Sequence, residues 1–179
     1  LPLSQRYGEL HCNKILDTIS PDAVITDQDG NFEIIYIKDS VYKEPEVHPA
    51  LIMCTSGTTG TPKGVMLSES NIISNVSDIA LYFGIDSSDT ILIARPLYHC
   101  AVLTGEFLTA LVKGTKIRFY SGSFNPILML KLLKDYKITV FCGTPTLLSM
   151  ISRFKRKTDK DCLLHIAVSG ECMSLETGL

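Results

Sequence analysis

From residue 50 onward the chain alternates short apolar runs with longer amphipathic stretches, and this alternation limits the possible folds more than any other feature. The runs cover 51–54, 91–94, 116–119, 139–142 and 165–168. Between them, residues 70–83, 103–112, 126–135 and 145–154 carry apolar side chains at helical spacing. Strand–helix alternation of this kind implies an α/β domain with a mostly parallel sheet. Two helix starts are sharp: Asn125-Pro126 and Thr144-Pro145 each put a capping side chain before a proline in the first turn. The expected fold is α/β, a mostly parallel sheet with flanking helices, and ligands in such sheets gather beyond the carboxyl ends of the strands.

Upstream, Leu3, Tyr7, Leu10, Ile15, Leu16 and Ile19 recur at roughly helical spacing, and Pro21 marks the end of that helix. Residues 23–26 and 32–37 read as strands around an Asp29-Gly30 turn. The stretch YKEPEVHP, with two prolines, reads as a connecting loop.

The chain has 179 residues, 45% hydrophobic and 20% charged, enough for one ordinary domain with a real core. A net charge of −2 gives no reason to expect a nucleic-acid partner. The basic run over 153–160 is diluted by Asp159 and reads as a solvated helix end and loop. Six cysteines lie scattered without a CxxC pair, several inside apolar runs, which predicts buried free thiols in a reducing, cytoplasmic setting. The four histidines are dispersed, so no metal site is expected, and no apolar run is long enough for a transmembrane segment.

Directly after the run 51–54 comes CTSGTTGTPKGV, from Cys54 to Val65. Its glycines, Gly57, Gly60 and Gly64, permit positive φ and close approach of backbone to a ligand. Turned N–H groups and the hydroxyls of Thr55, Ser56, Thr58, Thr59 and Thr61 can converge on an anion, with Lys63 as a mobile positive charge. The alternative is a long turn rich in small polar residues. A Walker loop is excluded: Pro62 stands where its second glycine would be, and Gly64 where the magnesium-binding hydroxyl would be. Pro62 also argues against immediate helix entry, so Lys63 belongs on a loop or hairpin, with Ser68 as the cap of the next helix.

The stretch resembles the signature loop of the adenylate-forming superfamily, T-S-G-[ST]-T-G-x-P-K-G-V, which includes acyl-CoA synthetases and peptide-synthetase adenylation domains; Thr55 to Val65 matches throughout. LSESN from Leu67, RPLYH ending at His99, TVFCGTP ending at Pro145 and Ser169-Gly170-Glu171 resemble later family segments in family order. Glu69 and Val102 stand where the family often has histidine and glycine.

The resemblance implies activation of a small-molecule carboxylic acid by ATP: the carboxylate attacks the α-phosphorus, giving acyl-adenylate and pyrophosphate. The acyl group then passes to a thiol, either CoA or a carrier-protein phosphopantetheine. It assigns Thr55, Ser56, Gly57, Thr58, Thr59, Gly60, Thr61, Pro62 and Lys63 to the β- and γ-phosphates, with Thr58 and Lys63 in catalytic roles. Gly170 and Glu171 would face the adenine or acyl region, or else form a plain strand-to-helix turn. His99 would lie near the acyl carboxylate, or else be a hydrogen-bonded histidine at a strand end. Most of the apolar stretch 102–111 reads as helix core. No aspartate follows His99 closely, which disfavours an α-amino acid substrate.

The family's aromatic-Gly-x-Thr-Glu motif, whose glutamate binds Mg2+, its ribose-binding aspartate and its C-terminal domain with a further lysine have no counterpart here. Tyr7-Gly8-Glu9 and Thr104-Gly105-Glu106 look similar but fall in the wrong order. The expectation is that 1–179 is one partial AMP-binding domain, a fragment inactive alone. Alternatives are an adenylation domain that loads a carrier protein and a non-catalytic ATP-binding remnant.

Overall fold

The computed structural model of the chain describes residues 1–4, 7–37, 48–55, 63–155 and 162–173. They fall into two units, 1–71 and 72–179.

In the first unit, α1 (Glu9–Ile19) begins later than Leu3 suggests, because the extended backbone of Gly8 precedes it. It stops at Ser20, in the left-handed region at φ 49°, just before Pro21. β1 (Ala23–Gln28) and β2 (Asn31–Tyr36) pair antiparallel about Asp29-Gly30. Both turn residues have positive φ, as a two-residue hairpin turn of this kind needs, and Gly30 N–H donates to Asp27 Oδ1 at 2.8 Å.

One expectation is corrected here. β3 (Leu51–Thr55) is not a strand of the parallel sheet; it pairs antiparallel with β4 (Lys63–Leu67) in a sheet of two strands. The residues between the two strands are too few for the crossover that parallel pairing requires. Gly64 also differs from its sequence reading. Its φ is not positive; a Cβ there would lie 2.7 Å from Ile19 Cδ1 and 3.1 Å from Ile52 Cγ2. Close packing of α1 on β4, rather than turn geometry, calls for glycine. Ser68 then caps α2 (Glu69–Phe83): its Oγ accepts from Asn71 N–H while its own N–H donates to Asn71 Oδ1, a reciprocal box.

The second unit carries the expected parallel sheet. β5 (Thr90–Ile93), β6 (Lys116–Phe119), β7 (Val140–Gly143) and β8 (His165–Val168) lie in the order β6-β5-β7-β8, all parallel. Its helices are α3 (Cys100–Val102), α4 (Thr109–Lys113), α5 (Pro126–Asp135) and α6 (Pro145–Ser152). A π-helical segment, Leu103–Leu108, joins α3 to α4. The caps form as read: Asn125 accepts from Ile127 and Leu128 N–H, and Thr144 accepts from Leu147 N–H.

Side chains of the central strands alternate between two cores. Ile91, Ile93, Val140 and Cys142 pack with Val102 and Ala110. Leu92 and Phe141 point the other way, onto Met129 and Leu133 of α5 and Ile151 of α6. This period of two, apolar on both faces, is what a sheet between helix layers demands. At the amino ends of the strands, buried Asp89 accepts from Thr139 Oγ1 at 2.7 Å and from Asp86 N–H at 3.0 Å, while Thr139 Oγ1 accepts from Thr90 N–H.

The thiol expectation holds only in part. All six cysteines are free, but only Cys142 is buried; Cys100, Cys162 and Cys172 are exposed. No helix among the described residues is long and apolar enough to cross a membrane.

Candidate functional site

The β3–β4 pairing fixes the ends of the Gly/Ser/Thr loop. Thr55, the last residue of β3, stands opposite Lys63, the first of β4, and both are exposed. Ser56, Gly57, Thr58, Thr59, Gly60, Thr61 and Pro62 lie outside the described residues. Lys63 is therefore on a hairpin, as Pro62 required, as the first residue after the loop.

The other expected residues fall in the second unit, at the carboxyl end of the sheet. Chain order explains the position. From β5 the connection runs outward to β6, while β7 lies on the opposite side of β5, so the connections diverge between β5 and β7. A crevice opens at such a switch point. A cavity of about 450 Å³ lies beside it, against β7 and β8 and under α2, with Arg95 and Glu106 in its wall. Ile79, Phe83, Ile85, Val140 and Val168 give it apolar walls; Arg95, Thr104, Glu106 and Ser169 add polar groups.

Arg95 leaves the end of β5 and spans the crevice. Its Nη2 pairs with Glu106 Oε1 at 2.5 Å, and its Nη1 donates to Ser169 Oγ at 3.0 Å. Glu106, on the π-helical segment, is 1% exposed. Loss of water raises its pKa from the ordinary 4.5 to about 7, although the Arg95 guanidinium pulls the other way. Cys142, also in the wall, is pushed up to about 12 by burial and by the Glu106 carboxylate, so it stays a neutral thiol.

His99 is exposed at the start of α3 and does not line the cavity; the next two residues, Cys100 and Ala101, do. Partial desolvation, then the positive charge of Arg95, lower its pKa, which favours the neutral imidazole. Its ring lies 4.4 Å from that of Tyr98. Gly170 follows β8 with φ +99°, a backbone that side chains disfavour. Glu171 is exposed and accepts from Thr146 Oγ1 on α6 at 3.3 Å. The structure thus gathers the ends of β5, β7 and β8: Arg95 reaches Ser169, and Thr146 reaches Glu171.

Reading from sequence missed the Arg95–Glu106 pair. In the sequence RPLYH stands out for its histidine, and Thr104-Gly105-Glu106 is only a false likeness. The available signal was Glu106 itself, the one charged residue between 102 and 111, on a stretch otherwise fit for a core.

Known proteins resemble the chain in sequence and in fold. The chain is 32% identical over 123 residues to the acyl-CoA ligase sidI of Aspergillus fumigatus, which is 67% of this chain and 21% of that protein. It is 33% identical over 111 residues to a feruloyl-CoA synthase of Amycolatopsis, covering 62% of this chain and 22% of that protein. It spans about a fifth of the length of these relatives. Among solved structures, O-succinylbenzoate coenzyme A synthetase of Bacillus subtilis, in complex with ATP and magnesium ion, superposes with a TM-score of 0.66 at 25% identity, over 78% of this chain and 29% of that one. The same enzyme with AMP gives 0.59 at 28% identity, over 66% and 30%. The family model for AMP-binding enzymes covers residues 3–178, and the chain belongs to that family.

Proposed function

We propose that the protein carrying this chain activates a carboxylic acid with ATP and passes the acyl group to CoA. The observation that carries the reading is the hairpin register that sets exposed Lys63 opposite Thr55, at the two ends of the signature loop. A cation and a hydroxyl at the mouth of a glycine-rich turn fit a polyphosphate. Lys63 would hold the β- and γ-phosphates, with Thr58 and the other loop residues donating N–H and O–H groups. Pyrophosphate gains negative charge as it leaves, and a preorganised cation lowers the cost of that charge. ATP supplies the activated phosphorus, with Mg2+ as counter-charge.

In the second unit, the cavity against β7 and β8 would take the acyl group. Gly170, whose positive φ turns the backbone sharply after β8, and Glu171 would border the nucleotide. His99, held toward neutrality, suits a site where a carboxylate must stay free to attack and an imidazolium would pair with it. CoA as acceptor is favoured by the acyl-CoA ligase and CoA synthase relatives.

The test is ATP–pyrophosphate exchange by the full-length protein over a panel of carboxylic acids, with Lys63→Ala alongside. Loss of one such phosphate contact is expected to lower exchange by roughly 10²-fold. Unchanged turnover and ATP affinity in Lys63→Ala would remove the phosphate role of that residue. Absence of exchange with every acid would remove the activity itself.

A further inference from the structure

Gly105 is a glycine that the fold does not ask for. It sits inside the π-helical segment Leu103–Leu108, and its φ is not positive. A helix interior with ordinary φ favours alanine over glycine, because glycine loses more freedom on folding. Packing does not exclude a side chain either. A Cβ on Gly105 would meet Ile79 Cδ1 at 3.6 Å, an ordinary van der Waals contact. Gly64 is the contrast, since a Cβ there would stand 2.7 Å from Ile19 Cδ1. The wide helical turn is held by other groups. Buried Thr109 donates its hydroxyl to Thr104 O at 2.8 Å, and Thr104 donates its own to Cys100 O at 3.0 Å.

What Gly105 does border is the cavity against β7 and β8. It lies in the wall with Ile79, and both are only half-buried, so their surface can be reached. Phe83, Ile85, Val140 and Val168 make the rest of the wall mainly apolar. Arg95 spends Nη1 on Ser169 and Nη2 on Glu106, and the Thr104 hydroxyl is spent on Cys100 O. Such a wall suits an uncharged, apolar guest. At about 450 Å³ the space is far more than acetate or butyrate would fill. A side chain at position 105 would grow from one wall residue toward another and take part of that space.

We propose that Gly105 is a specificity-determining residue: the side chain it lacks leaves room for an apolar acyl group of medium length, and the enzyme favours such acids over short ones. This rests on the reading of the protein as a carboxylate-activating enzyme whose acyl group enters this cavity.

The test compares kcat/KM for ATP–pyrophosphate exchange by the full-length protein with butyrate and octanoate, in the wild type, Gly105→Ala and Gly105→Leu. The wild type is expected to favour octanoate by about tenfold or more, since each methylene group held in an apolar pocket adds discrimination. Gly105→Leu should lower the octanoate-to-butyrate ratio by about tenfold, with butyrate used nearly as before. Gly105→Ala should lower the ratio several-fold. It should also melt no lower than the wild type, because alanine is the better helix former and the fold has room for one methyl group. This variant carries the test alone if Gly105→Leu does not fold. The ratio does not depend on how much of the enzyme is folded, so a loss of stability cannot imitate the effect. A wild type that does not favour octanoate, ratios unchanged in the variants, or a Gly105→Ala that melts lower would overturn the role of Gly105 while leaving carboxylate activation intact. No exchange with any acid of a wider panel would overturn both.

Discussion

The β1–β2 hairpin and the central strands β5 and β7 are made of the same kinds of residue, yet they end in opposite environments. Ile25, Phe32 and Tyr36 of the hairpin are 69%, 78% and 72% exposed, whereas Ile91, Leu92 and Phe141 are exposed by 2% or less. Strand formation is not what separates them, since every hairpin residue from Ala23 to Tyr36 outside the turn has its cross-strand partner. The difference is the covering layer. β5 and β7 have helices on both faces, and their side chains are shared between two cores. Apolar sequence made both regions into strands, but only the helices laid over the sheet made one of them a core. A two-stranded ribbon left uncovered gains little stability of its own.

The sharpest way to break this comparison is to truncate one phenylalanine in each region. Phe141→Ala should cost about 4 kcal/mol, the usual loss for a fully buried aromatic side chain. Phe32→Ala in the same chain should stay within about 0.5 kcal/mol. Denaturant unfolding of the two variants measures the difference. Equal losses would show that the exposed hairpin face is covered, and the contrast would fail.

The next effect contrasts the apolar cores with the buried Arg95–Glu106 pair. Arg95→Met leaves Glu106 buried without its cation, and at pH 8 it should cost about 3 kcal/mol. The sign of the pH dependence follows from Glu106. Its folded pKa, about 7, lies above the ordinary 4.5, so the folded state holds the proton more tightly than the unfolded chain. The associated stability is fully present below about pH 4.5 and is lost as pH rises through about 7. Glu106→Gln removes that titration. Thermal melts from pH 4 to pH 8 should therefore fall more steeply in the wild type than in Glu106→Gln, and the penalty of Arg95→Met should grow with pH. Parallel profiles would mean that Glu106 ionises freely.

Much of the second unit was legible because its signals are local. β6 and β8 fall at 116–119 and 165–168 as read, and α5 at 126–135, since proline, glycine and capping side chains bound each apolar run. The hairpin placement of Lys63 was legible too, from Pro62. What failed depended on partners distant in sequence. β3 reads as a strand of the parallel sheet because its apolar run looks like the others; only the short span before β4 distinguishes it. Gly64 reads as a flexible loop glycine, but its constraint comes from Ile19. Arg95 meets Glu106 eleven positions on and Ser169 seventy-four positions on, contacts that exist only once β5, β7 and β8 are in order. The π-helical segment that carries Glu106 leaves no mark in the apolar period.

Gly64 also offers a test of whether the first unit has a core of its own. Ile15 is fully buried on α1, which seats the helix on β4. Gly64→Ala would drive its Cβ to 2.7 Å from Ile19 Cδ1 unless that side chain turns away. Overpacking of this kind should cost about 1–2 kcal/mol. The effect should appear as faster amide exchange in α1 and β4, with the strands of the second unit protected as before. No change in α1 would mean that the helix is not held by this contact.

The smallest expected effect compares two helix starts built to the same plan. Asn125 and Thr144 each precede a proline, but Asn125 Oδ1 accepts two N–H groups at 3.0 and 3.1 Å, whereas Thr144 Oγ1 accepts one at 3.3 Å. The first N–H groups of a helix have no intrahelical partners, so each one satisfied by a cap removes an orphan donor. Asn125→Ala should then cost about 1 kcal/mol and Thr144→Ala nearer 0.5 kcal/mol, both within the usual range for lost caps. Thr144 has a second function that the stability measurement alone would miss. Its Cγ2 lies 3.7 Å from where a Cβ on Gly170 would stand, so it borders the turn after β8. Thr144→Ser keeps the cap and deletes that methyl group. If stability follows the cap and the Gly170 turn follows the methyl, Thr144→Ser should melt like the wild type while the amide of Gly170 exchanges faster. If Thr144→Ser leaves that amide unchanged, capping alone accounts for Thr144.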